Sequence, residues 1–232
     1  MSVEREKELR GLVAQAGRIL DTLGLVDYLG HCSARVPGTD RVVVKPKHSP
    51  KIRSMAALGP DDMVVVDLDG TLLDGADKPP AEVFIHTEIY RARPDVGAVV
   101  HTHQPTATLA GVLGQPIEPT LHVPATFVPS NPPTWPHPVL VTSPDLGRDL
   151  AAALGDEPFC HLQGHGIVSV AADIPHATVG AAMLEQLADA SLRAASTGLR
   201  PRVITPEEIE TLRGQTAGVE GRWAYYLQLS EA

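Results

Sequence analysis

Two histidines one residue apart, His101 and His103, close a short apolar run, Gly97-Ala-Val-Val. If that run is a strand, its two-residue period turns both imidazoles to one face. Two neutral imidazoles so placed can chelate one divalent cation. A third, His165, stands between Gly164 and Gly166 at what reads as a hairpin tip, where the missing side chains let it lean over a neighbouring strand end. Glu82, one residue inside the helix that precedes the His101 strand, can supply a carboxylate as fourth ligand or as an acid/base beside a metal. Each feature has a bland account when taken alone: satisfied histidines, turn glycines, a first-turn acid set against the helix dipole.

The elements that must position these groups are readable from periodicity. Leu9, Val13, Ala16, Ile19, Leu20 and Leu23 recur at helical spacing and stop at Gly24. His31 to Val36 and Arg41 to Val44 read as a hairpin around Pro37-Gly-Thr-Asp, and Met63 to Leu68 runs through Asp69-Gly70 into a further strand. A helix is predicted over 81–93, with His86 one turn beyond Glu82 on the same face, then the His101 strand and a helix opening at Pro105. The proline-rich stretch 115–138 reads as a long loop with one strand near His122. A strand is predicted over Val139 to Thr142, before a helix capped by Ser143. Phe159 to Val170 reads as a hairpin turning at Gln163-Gly-His-Gly. A long Ala-rich helix from Asp173 to about Gly198 follows, and Thr205-Pro-Glu-Glu opens helices over 205–230. Strands alternating with helices predict an α/β fold of α+β type, built as a single domain over 1–232.

A net charge of -9 argues against nucleic acid or an anionic membrane surface as partner. The charged N-terminus and the lack of a long apolar run predict a cytoplasmic protein. Cys32 and Cys160 read as free thiols. Against this acidic background His31, Arg35, Lys45, Lys47, His48, Lys51 and Arg53 gather near one loop, a cationic cluster suited to a small carboxylate.

In this order the residues resemble the class II aldolase/adducin family. The stretches that carry the resemblance are Gly30-His-Cys-Ser-Ala-Arg35, Asp67-Leu-Asp-Gly70, Glu82 with His86 and Tyr90, Arg93-Pro-Asp-Val, Val100-His-Thr-His103, Gly164-His-Gly166 and Leu184-Glu185, strongest over residues 5–200. The resemblance implies a central, mainly antiparallel sheet flanked by helices. It implies one divalent metal per subunit, zinc, manganese, iron or cobalt, on His101, His103 and His165, with Glu82 as a catalytic carboxylate that can also ligate. It further implies a homotetramer with active sites at subunit interfaces, which Tyr225 near the C-terminus would enter from a neighbour.

Family members that handle sugar phosphates carry Gly-Asn-x-Ser, a later Ser-Gly pair and two serines before the catalytic Glu. Here the counterparts are Gly30-His-Cys-Ser33, Lys47-His-Ser49 and Pro80-Ala81-Glu82. Pro80 has no N–H and Ala81 no hydroxyl, so donors for phosphate oxygens are missing at that point. The pattern is similar to the branch that decarboxylates hydroxylated aromatic or pyridine carboxylates. The expectation is therefore a metal-dependent carbon–carbon lyase acting on a small anionic substrate. Glu82 or His31 would move the proton, and Arg35, Ser33, Lys47, His48 and Tyr225 would bind substrate. An aldolase or epimerase on a non-phosphorylated sugar or hydroxy-oxo-acid, a sugar-phosphate aldolase and a non-catalytic adducin-like protein are the rival readings.

Overall fold

The chain is described here by a computed structural model that covers residues 2–49, 54–216 and 218–231. Lys51 and Arg53 of the expected cationic cluster lie outside the described residues.

Helix α1 (Ser2–Thr22) leads into β1 (His31–Arg35) and β2 (Val42–Val44), the expected hairpin, and β3 (Val64–Val66) and β4 (Leu72–Asp74) form the next one. Helix α2 (Val83–Ala92) precedes β5 (Ala98–Thr102), and α3 (Pro105–Leu113) follows it. After α4 (Pro124–Phe127), β6 (Thr134–Trp135) and α5 (Pro144–Leu154), the hairpin β7 (Phe159–Leu162) and β8 (Gly166–Ala171) leads to α6 (Ile174–Thr197), α7 (Pro206–Arg213) and α8 (Val219–Ser230). The strands form one sheet in the order β4-β3-β2-β1-β5-β8-β7-β6. Every pairing is antiparallel except β6 with β7. The mixed α/β fold is the one the strand–helix order predicts, and the mainly antiparallel sheet is what the family resemblance implies.

Helices cover both sheet faces, and strand alternation sorts the side chains between them. On one side Val13, Ile19 and Leu20 of α1 and Leu184 and Leu187 of α6 bury with Cys32, Ala34, Val100 and Ile167. On the other, Ile85 and Ile89 of α2 and Leu150 of α5 bury with Val42, Val44, Val99 and Val168. Burying an aliphatic side chain of this kind contributes about 1.5 to 3 kcal/mol, so each helix is held by several such contacts. The face toward α2 is the one that carries His31, Ser33 and His101.

Two expected strands are not strands. Near His122 the chain enters α4, and residues 139–142 form a loop. The strand in this region is Thr134–Trp135, which joins β7 in parallel and buries Trp135 completely, its indole N–H donating to Asp149 Oδ2 at 2.7 Å. Pro136 and Pro138 flank the exit and cannot donate to a ladder. The Val141 amide is engaged elsewhere, as described next.

Candidate metal centre and active site

His31 and His101 are direct cross-strand partners in the β1–β5 register, so their side chains rise side by side toward α2, with ring centroids 4.9 Å apart. His103 follows two residues after His101, just past the strand end, where the pleat again points it to this face. His165 arrives from the β7–β8 turn. There Gly164 takes φ +66, a left-handed conformation that side chains resist. At Gly166 an added Cβ would lie 2.2 Å from the Thr102 carbonyl oxygen. Glycine at these two positions lets the turn close on β5 and stack the His165 ring against His103, centroids 5.2 Å apart.

The ligand atoms of His101, His103 and His165 lie within 4.8 Å of one another, and so do those of His31, Glu82 and His101. His101 Nδ1 is 2.9 Å from the Ile167 carbonyl, which can only accept, so this nitrogen carries the proton and Nε2 is left bare. That bare nitrogen is 3.2 Å from His103 Nε2. Such an outer carbonyl partner is what orients a metal-ligating imidazole. Burial, then the neighbouring imidazoles, hold the His101 pKa well below the ordinary histidine value, and burial also lowers that of His103. His165 Nδ1 is buried without a hydrogen-bond partner. Convergent imidazoles with a carboxylate beside them fit a divalent cation.

Glu82 is the N-cap residue of α2 and not, as expected, one residue inside it, and its side chain does not cap its own helix. It is 8% exposed. Oε1 accepts the Val141 N–H at 2.9 Å, while Oε2 faces His165 Nε2 at 3.6 Å and His31 Nε2 at 3.9 Å. One oxygen is thus anchored and the other is turned to the histidines.

Of these groups His31, Glu82, His103 and His165 line a cavity of about 550 Å³, with His101 buried behind them. One wall is basic, with Lys45 and Lys47 beside the His48 imidazole, and another is apolar, with Leu29, Val139 and Leu140. Lys45 is 2% exposed and donates from Nζ to the Tyr28 carbonyl at 2.9 Å. Burial pushes its pKa down to about 8. Lys47 and His48 are exposed at the rim, and His48 packs on Tyr28 with centroids 4.4 Å apart.

A family model described as Class II Aldolase and Adducin N-terminal domain matches residues 11–192. The chain belongs to this family. It is 37% identical over 199 residues to 3,4-dihydroxyphthalate decarboxylase of Arthrobacter keyseri, covering 82% of this chain and 79% of that one. It is 31% identical over 203 residues to 5-methylthioribulose-1-phosphate/5-deoxyribulose-1-phosphate aldolase of Rhodospirillum rubrum, covering 87% and 88%. Among solved structures, L-fuculose 1-phosphate aldolase superposes with a TM-score of 0.77 over 93% of this chain and 97% of that one, at 21% identity. Decarboxylases, aldolases and dehydratases all occur among the relatives of this class II aldolase family member.

Three expected substrate contacts do not reach the cavity of this chain. Arg35 shares the α2-facing side of β1 with His31, but four steps of strand, about 13 Å, separate them. Its guanidinium instead donates to the Tyr90 carbonyl and lies over the Tyr90 ring, 4.8 Å from the centroid. Ser33 is fully buried behind His31, bonded to His86 and Tyr90. Tyr225 is 59% exposed on α8, on the opposite side of the sheet, where its neighbour Tyr226 is buried against the α1–α6 layer. Cys32, adjacent to His31 in sequence, points the other way and donates its thiol to the Val13 carbonyl, its pKa pushed up to about 12 by burial. It does not line the site. Two groups missed as site residues are Lys45, read only as one loop charge among several, and His86, whose Nε2 lies 2.7 Å from His31 Nδ1. The His86 signal was present in its spacing from Glu82; its contact with β1 was not.

Among the described residues no helix is long and apolar enough to cross a membrane.

Proposed function

We propose that this protein is a metal-dependent decarboxylase of a hydroxylated aromatic or heteroaromatic carboxylate, of the dihydroxyphthalate type. The observation that carries the reading is one cavity in which a histidine–carboxylate cluster, a basic wall and an apolar wall meet. The identity to 3,4-dihydroxyphthalate decarboxylase supports it. His101, His103 and His165 would hold the cation, with Glu82 beside it. When bound, a divalent cation supplies Lewis acidity, stabilising negative charge on a substrate oxygen as the carbon–carbon bond breaks.

The chain's own groups do the rest. Lys45, Lys47 and His48 meet the anionic substituents, while Leu29, Val139 and Leu140 take the flat ring and exclude water from its faces. As carbon dioxide leaves, the bonding pair stays on the ring carbon, and a proton must reach that carbon from the site. Glu82 Oε2 and His31 Nε2, 3.9 Å apart, are the two groups placed to deliver it. The group that delivers it recovers a proton before the next turnover.

The aldolase reading shares every ligand, and the match to a sugar-phosphate aldolase keeps it in view. Pro80 and Ala81 line the cavity immediately before Glu82, where neither offers a side-chain donor to a phosphate and Pro80 offers no amide. The implied tetramer, with interfacial sites that Tyr225 of a neighbour would enter, is part of the proposal. The deciding experiment is a substrate screen with metal-reconstituted protein, scored for carbon dioxide from dihydroxybenzoic and dihydroxyphthalic acids and for pyruvate or aldehyde from oxo-acid aldols. Aldol cleavage without decarboxylation would replace this reading.

A further inference from the structure

The face of β1 that carries His31 continues inward as a row of polar groups closed off between the sheet and α2. His31 Nδ1 is 2.7 Å from His86 Nε2, His86 Nδ1 is 2.6 Å from Ser33 Oγ, and that oxygen is 2.8 Å from Tyr90 Oη. None of the four residues is more than 3% exposed. The row ends in the cavity, where His31 Nε2 faces Glu82 Oε2.

Two ring nitrogens 2.7 Å apart need one proton between them, since two lone pairs repel and two N–H bonds collide. Two neutral rings carry two protons between them, one in that contact and one on an outer nitrogen, so both rings adopt the same tautomer. If His31 is protonated on Nδ1, it donates to His86 Nε2, and the His86 proton sits on Nδ1 against Ser33. If His86 is protonated on Nε2, it donates to His31 Nδ1, and the His31 proton is forced onto Nε2.

Ser33 and Tyr90 select between the two. Either oxygen of the Ser33–Tyr90 pair could donate, but Ser33 Oγ is the one acceptor found for the Tyr90 hydroxyl among the described residues; with Tyr90 donating, Ser33 is free to pass its own proton to His86 Nδ1. The direction then runs Tyr90 to Ser33 to His86 to His31, and it finishes at an N–H turned toward the Glu82 carboxylate. Reversed, the row would leave the Tyr90 hydroxyl with no acceptor among the described residues and aim a lone pair at that carboxylate.

Resting on the reading that His31 faces substrate, we propose that His86, Ser33 and Tyr90 hold His31 as a neutral N–H donor. His31 grips an anionic oxygen of the substrate, while the Glu82 carboxylate takes the proton of a substrate hydroxyl and passes it to the ring carbon as carbon dioxide leaves, the product oxygen then regaining its proton from water. His86 is then a positioning residue that acts through His31.

Nitrogen-15 NMR of full-length protein labelled at histidine, with and without zinc, tests the tautomer directly. His31 and His86 are expected both to be protonated on Nε2, and Tyr90→Phe is expected to shift both together toward Nδ1. Either ring found on Nδ1 in the wild type overturns the proposal, and this measurement needs no variant to fold. Kinetics supply the second test. A donor that transfers no proton can be replaced by an amide, so His31→Gln is expected to keep kcat within about 10-fold, whereas His31→Leu falls by about 100-fold or more. His86→Gln, which still offers His31 Nδ1 an N–H, is expected to exceed His86→Leu in kcat at similar KM. Equal loss in His31→Gln and His31→Leu would make His31 the proton carrier and overturn the donor role while leaving the decarboxylase reading intact. Wild-type turnover in His31→Leu would remove His31 from the site altogether.

Discussion

The backbone amide of Val141 donates to Glu82 Oε1 at 2.9 Å, which ties the loop that lines the cavity to the carboxylate at its floor. Because Val139 and Leu140 precede this amide on the cavity wall, one contact sets both the wall and the orientation of Glu82. Val141→Pro deletes the donor and Val141→Ala keeps it. Val141→Pro is expected to lose about 10- to 100-fold in kcat, in the range for an outer partner of a catalytic group. Val141→Ala should stay close to wild type in kcat despite a lower Tm from the buried methyls it loses. Steady-state kinetics beside thermal melts separate the two, and equal kcat in both variants would show that the amide does not orient Glu82.

The three histidines proposed to hold the cation differ in how they are held, yet each is expected to be needed for it. His101 is fully buried with its Nδ1 proton committed to Ile167, while His165 sits on a turn with an unpartnered Nδ1. His101→Ala, His103→Ala and His165→Ala are each expected to abolish stoichiometric metal after desalting, measured by elemental analysis. Full metal retention in any one would take that residue out of the ligand set. Chelator treatment of the wild type should remove activity, and added divalent cation should restore it.

Much of this site is legible in sequence because strand parity is rigid. His101 and His103 share a face by the two-residue period, and the glycines around His165 mark a turn that only a close neighbour requires. Parity also explains the misplacement of Arg35, since the same period that aligns it with His31 says nothing of the three residues between them. The β-branched run Val139 to Thr142 resembles a strand in isolation. Its Val141 amide is taken by Glu82, a partner 59 residues away that no local pattern shows, and its Thr142 amide by the Leu140 carbonyl. His86 was missed as a positioning group for the same reason, its partners Ser33 and His31 being brought to it by the packing of α2 on the sheet.

Lys45 should act as the buried anchor for a substrate carboxylate. Among the described residues its ammonium donates to the Tyr28 carbonyl in a cavity wall, and burial pushes its pKa down to about 8. Anion binding needs the protonated form, so kcat/KM for a carboxylate substrate is expected to fall as pH rises through about 8. Lys45→Arg keeps its charge at high pH and should move that limb upward, and Lys45→Met should raise KM by about 10-fold or more at neutral pH. A pH profile unchanged in both variants would exclude Lys45 from substrate binding.

Acid should destabilise the metal-free protein at a higher pH than carboxylates alone would. Burial lowers the pKa of His31, His86, His101 and His103 below the ordinary value of 6.5, and that of His161 to about 4. In each case the unfolded state binds the proton first. Stability is therefore complete above about pH 6.5 and declines as pH falls toward the folded-state values. Bound cation competes with protons for the same nitrogens, so it should both raise Tm and delay this loss. Thermal melts from pH 7.5 to 5 with chelator and with zinc are expected to diverge below neutrality, the chelated protein losing Tm first. A chelated protein whose Tm is flat across that range would show that these imidazoles are already charged, or free to charge, in the fold.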